Sequence, residues 1–246
     1  MYLPRAPVTN KPAIAWFVFA ALCIAWLGNF TDIDMALARS MYEGGAFAPR
    51  HAWWAETFSH VYLRRLLETL GVCAMLPALY DWLRPRQAWS PALRRQLRVV
   101  AWSAFLVPLA VTLLKHYSFS HCPWDIIDFG GDRAYVRLFQ AVPANMPMGH
   151  CMPAGHASSA LWLISLAVFW LPHRRRHALA VALAMLAFGF ALGWIQQLRG
   201  AHFLTHTLWS AWIACAIVPA LAMLLQYAPS GGRPRRVPAG TQWRAP

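Results

Sequence analysis

The fold class this sequence predicts is all-α: a polytopic membrane protein with six transmembrane helices in one bundle. Three observations predict it. Hydrophobic residues make up 59% of the 246 positions and charged residues only 13%, too apolar and too charge-poor for an ordinary soluble domain. The apolar residues gather into six runs, most of them near the roughly 17–25 residues that a bilayer core requires. The basic residues fall between these runs rather than on one face. Topology therefore accounts for the net charge of +13, and nucleic acid is not an expected partner.

The predicted spans are Ala13–Gly28, Leu66–Leu83, Val99–Tyr117, Ala157–Leu171, Ala178–Ile195 and Phe203–Gln226. The first is long and lacks a small-residue cleavage site, so it reads as a span and not as a cleaved signal. The second carries Glu68 and Asp81 near its ends, where polar groups reach the interface. The fourth is short and extends back toward His156. Residues 1–228 then form one membrane domain, and the Gly/Pro/Arg-rich stretch 229–246 reads as a disordered basic tail. With both termini cytoplasmic, 14 Lys and Arg lie inside and 8 outside, which is the direction of the positive-inside rule. This orientation puts His156, the loop 118–153 and the segment around His202 together on the outer face. The connection Asn29–Leu63 holds Trp53, Trp54, Phe58 and Tyr62 among Arg50, His51 and His60. It reads as a surface-lying amphipathic anchor, because aromatic rings favour the headgroup level.

The chemistry centres on Cys151-Met152-Pro153-Ala154-Gly155-His156. A Pro-Ala-Gly turn starts a helix, whose first N–H groups lack partners and attract an anion. A histidine there can trade protons with a bound phosphate; the plainer reading is a helix start with an interfacial histidine. Lys115 ends the third span, where a lysine ordinarily snorkels. Beyond it come Asp125, Asp128 and Asp132, the last acidic residues in the chain. A carboxylate that orients a later histidine must come from these or from the first half. Cys122 and Cys151 share the outer loop, where a disulfide persists in an oxidising compartment; two free thiols are the alternative. Cys23, Cys73 and Cys215 fall in spans as small buried hydrophobes. If residues 196–206 are helical, Arg199, His202 and His206 stand at i, i+3 and i+7 on one face. That face can handle an anion. A His-x₃-His pair can also hold a metal, but sequence places no third ligand, and no metal is expected.

Three blocks resemble the type 2 phosphatidic acid phosphatase superfamily, integral-membrane branch. Lys115-(six residues)-Cys122-Pro123 resembles its Lys-x₆-Arg-Pro. Pro153-Ala154-Gly155-His156 resembles Pro-Ser-Gly-His, and Gln196-(five residues)-His202-(three residues)-His206 resembles Ser-Arg-x₅-His-x₃-Asp. The order, spacing and relation to the spans are similar across residues 99–226. The resemblance implies a helical bundle of that superfamily's type, with the loop 118–153 as the outer-face catalytic loop and a two-step reaction without cofactor or metal. It implies His202 as nucleophile and His156 as general acid. Lys115 and Gly155 would bind phosphate, with Ala154 and Gln196 at the family's other binding positions.

The departures matter. Cys122 and Gln196 stand where the family has arginine, so Arg199 is the candidate replacement cation. Ala154 lacks the serine hydroxyl. His206 replaces the orienting aspartate, leaving Asp125, Asp128 or neutral His206 to orient His202. The Cys-Pro-Trp-Asp, Pro-Ala-Gly-His and Arg-Gly-Ala-His-Phe segments resemble a subgroup of the superfamily, so the site reads as a variant one. The implied function is hydrolysis of a lipid phosphate or pyrophosphate, such as polyprenyl pyrophosphate, lipid A phosphate or phosphatidylglycerophosphate. The implied place is the periplasmic face of a bacterial inner membrane. A lipid-to-lipid phosphotransferase and a non-catalytic lipid carrier are the alternatives.

Overall fold

The structure is a computed structural model and describes residues 11–227. The expected basic tail 229–246 lies outside the described residues. Helix α1 (Lys11–Phe30) is followed by α2 (Ile33–Met41) and a two-residue hairpin of β1 (Tyr42–Glu43) and β2 (Ala46–Phe47). A 3₁₀ turn (Ala48–His51) leads to a π-helix (Trp54–Leu63), which runs directly into α3 (Arg64–Leu83). Helix α4 (Pro91–His116) precedes the long loop. Next come α5 (Gly155–Leu161), its 3₁₀ extension (Trp162–Trp170), α6 (Arg175–Leu198) and α7 (Leu204–Tyr227).

All six apolar stretches are helical, but they do not all reach the length of a span. Four helices are long and apolar enough to cross a membrane: Trp54–Leu83, Pro91–His116, Arg175–Leu198 and Leu204–Leu225. The pair Ile14–Phe30 and Ile33–Met41, bent by 67°, makes a fifth if it is taken as one span. The expected span Ala157–Leu171 is the exception. It belongs to the apolar helix Gly155–Trp170, which falls short by residue count.

The aromatic connection also differs from expectation. It is not one surface-lying helix, because its second half continues α3 and carries Ala55 and Ser59 into the interior. The sequence signal misled here because the same aromatic residues lie on that helix's outer side: Trp53, Trp54, Phe58 and Tyr62 are exposed.

Local sequence explains how the bundle is built. Helix α4 starts cleanly because Ser90 Oγ accepts from the Leu93 N–H at 3.2 Å and Pro91 occupies the first turn. The main core joins Val99, Val107, Leu161, Trp162, Ile164, Val168, Ala214 and Val218, from α4, the α5 segment and α7. At Gly193 a side chain would collide with Thr207, so this glycine lets α6 and α7 approach closely. At the far end Asp81 is buried between Arg94 (3.3 Å) and Arg98 (3.6 Å). A second apolar cluster of Met35, Phe47, Ile126, Phe129 and Phe203 lies over the other end of the bundle. That cluster roofs the site.

Candidate active site

The third block is not one helix. Helix α6 ends at Leu198, and Gly200 adopts φ +75°, a left-handed conformation that favours glycine. The Ala201 N–H then bonds the Gln196 carbonyl and the Gly200 N–H bonds that of Gln197, both at 2.9 Å; this is the Schellman termination. The break corrects the expected single face. Arg199 stays with α6, while His202 sits in the turn and His206 on α7. The Arg-Gly pair carried that signal in the sequence.

Arg199 is committed to structure. It is 4% exposed, and it donates to the Arg50 carbonyl (3.2 Å) and to Gln196 Oε1 (2.8 Å). It also pairs with Glu56 at 3.4 Å. Arg199 thereby braces α6 against the π-helix, with Gln196 tied into the contact.

Cys122 and Cys151 are joined in a disulfide. Beside it, the His150 N–H bonds the Ser118 carbonyl (2.9 Å) and the Cys151 N–H that of Ser120 (3.0 Å), so the two ends of the loop 118–153 are zipped together. His202 Nδ1 lies 3.4 Å from Cys151 Sγ. A disulfide sulfur carries no proton and can only accept. With the Cys151 backbone also near the ring, a proton on Nδ1 is the tautomer this contact favours, and it leaves the Nε2 lone pair for chemistry. The Cys122, Cys151 and His202 donor atoms lie within 4.8 Å of one another, but the two sulfurs are bonded and are not thiolate ligands.

The carboxylates expected to orient His202 do not do so. Asp125 lies in a 3₁₀ turn, Pro123–Asp125, with its carbonyl bound to the Arg133 N–H, and no histidine contacts its carboxylate among the described residues. Asp128 pairs with Arg39 at 3.2 Å on the surface. His206 instead meets Ser120 Oγ through Nε2 at 3.0 Å, and its ring packs edge-on to that of His202, with centroids 5.8 Å apart. Its carbonyl accepts from the Ala154 N–H at 3.0 Å, so Ala154 ties α5 to α7 and has no free donor to offer a phosphate.

The remaining groups converge from other helices. His156 is 3% exposed, and neither ring nitrogen has a partner among the described residues. Lys115 has no carboxylate within ion-pair distance among the described residues, and a Cβ on Gly155 would lie 3.9 Å from its ammonium. The amides of residues 155–157, at the helix start, have no intrahelical acceptor. Asp34, from the first half of the chain, accepts from the Thr205 N–H (3.0 Å) and Oγ (2.5 Å) and so fixes the start of α7 next to His206. Sequence reasoning missed Asp34, Ser120, Glu56 and His60; only the need for an acidic group from the first half hinted at Asp34.

Burial, then the fields of His206, Lys115 and His156, push the His202 imidazole well below its usual range. It stays neutral at physiological pH, as a nucleophile must. An unfolded histidine titrates near ~6.5, so below that pH the unfolded chain binds a proton that the folded one refuses. Stability therefore falls as pH drops through about 6.5 and is recovered as pH rises. Thermal melting in detergent should show a lower midpoint at pH 5.5 than at 7.5, with a flatter dependence in His202→Asn; equal slopes would contradict a buried neutral His202.

No curated protein and no solved structure matches this chain. A family model, PAP2 superfamily, matches residues 96–229, which span Lys115, His156 and His202. That match covers more than half of the sequence, and the chain belongs to the PAP2 superfamily.

Proposed function

We propose that this protein is a membrane lipid phosphatase that cleaves a phosphate or pyrophosphate through a phosphohistidine on His202. One observation carries the reading: His202, buried with its Nδ1 3.4 Å from the disulfide sulfur, shares a site with Lys115 and His156, whose fields reach its ring. In the first step His156, which takes up a proton when the anionic phosphate enters the site, gives that proton to the lipid oxygen as Nε2 attacks phosphorus and the bond to that oxygen breaks. Lys115 and the amides at the start of α5 hold the phosphoryl oxygens as charge develops. In the second step water attacks phosphorus, His156 takes its proton, and phosphate leaves His202.

Six crossings with both termini cytoplasmic fit this chemistry. The helix Gly155–Trp170 joins seven α residues to nine 3₁₀ residues. At ~1.5 and ~2.0 Å per residue these rise about 28 Å, close to the ~30 Å hydrocarbon core. Tighter winding makes up for the missing residues. His156, His202 and the disulfide loop then share the outer, periplasmic face of a bacterial inner membrane, where a disulfide persists.

The test is phosphate release by purified protein in detergent, with EDTA, across polyprenyl pyrophosphate, lipid A phosphate and phosphatidylglycerophosphate. Release from one of them is expected, with Lys115→Ala slower by about 10²–10³. Transfer to a second lipid without release would make the protein a phosphotransferase. Inactivity on every lipid with either acceptor would contradict the proposal.

A further inference from the structure

The ring nitrogens of His156 have the Ser59 backbone nearby but no well-formed hydrogen bond to hold them, yet a general acid must present its proton along one direction. What meets its face is another histidine. The His60 ring stacks on it with centroids 5.0 Å apart and planes 20° from parallel. We propose that His60 is a positioning residue for the acid, fixing the plane from which His156 protonates the leaving oxygen; this rests on the reading of His156 as that acid.

His60 is itself held. It belongs to the π-helix Trp54–Leu63, a form that is rare and recurs at functional sites. Ala55 and Ser59 bury the inner side of that helix. Glu56, four residues before His60, pairs with Arg199 at 3.4 Å, and Arg199 bonds Gln196 at 2.8 Å. Gln196 lies beside His60 in turn. The brace therefore fastens the π-helix to the end of α6, and the stacked ring inherits its rigidity. His60 lies outside the stretch 96–229 that matches the family, so this support comes from the half of the chain that the family motifs do not reach.

A general acid matters for a poor leaving group and little for a good one, which separates a positioning role from a structural one. The assay compares two phosphate monoesters of matched chain length in detergent, an alkyl phosphate and an alkyl-nitrophenyl phosphate. His60→Ala should lower kcat at least about 10-fold on the alkyl ester with KM within about twofold, but less than about threefold on the nitrophenyl ester. His60→Phe, which keeps a ring to stack, should recover most of the alkyl-ester rate. Equal losses on both esters, or a His60→Phe as slow as His60→Ala, would overturn the proposal. His156→Ala in the same assay tests the underlying reading separately. It should show the leaving-group dependence more strongly, and an equal loss on both esters would remove His156 as the acid whatever His60 does.

Discussion

His202→Ala is expected to lose turnover by about a thousandfold or more while leaving a folded, detergent-stable protein. The size follows from the role, since removing a covalent nucleophile removes the pathway rather than one contact within it. The protein survives because His202 sits in a turn that Gly200 and the carbonyls of Gln196 and Gln197 define through the backbone. Its ring nitrogens meet only Cys151 among the described residues, through the weak contact to Sγ and the nearby backbone. His206→Ala makes a useful contrast: it removes the bond to Ser120 Oγ but no reacting atom, so its loss should be smaller. Retained turnover in His202→Ala, measured as phosphate release at saturating lipid, would exclude His202 as nucleophile.

Breaking the Cys122–Cys151 bridge is expected to have the largest effect on stability. The cysteines are 29 residues apart, and closing a loop of that length removes chain entropy worth about 3–4 kcal/mol from the unfolded state. The bridge also places its sulfur 3.4 Å from His202 Nδ1, so its loss removes a contact that helps hold the ring. Cys122→Ala/Cys151→Ala should therefore melt well below the wild type and lose activity beyond what its folded fraction explains. An unchanged melting midpoint after reduction would contradict this account, as would five free thiols on denaturation without reductant.

The sequence made the bundle legible because its signal is strong: long apolar runs have few alternatives in a chain with so little charge. Its fourth apolar run is the one whose residue count falls short of a span, because hydropathy reads residues and not rise and the 3₁₀ winding at Trp162–Trp170 leaves no compositional mark. At the site, Lys115, Gly155, His156 and His202 were singled out by blocks whose spacing resembles the family's, and their roles are part of the proposal. The single face of Arg199, His202 and His206 was misjudged because helical periodicity was carried through Gly200, where the chain turns left-handed. Asp125 was favoured for its sequence position near Cys122, whereas its carboxylate bonds no histidine and the disulfide sulfur takes the place at Nδ1. Asp34 and His60 were the hardest to find. Each acts across the fold, on Thr205 and on His156, at separations that no local pattern encodes.

The central claim is the phosphohistidine, and the most direct measurement is to trap it. The protein is mixed with a phosphorus-labelled lipid phosphate, quenched in alkali during turnover, digested and located by mass spectrometry. Label on the peptide carrying His202, absent in His202→Ala and accumulating in His156→Ala with an activated leaving group, is the predicted result. Steady phosphate release with no label on any histidine at any quench time would contradict the account.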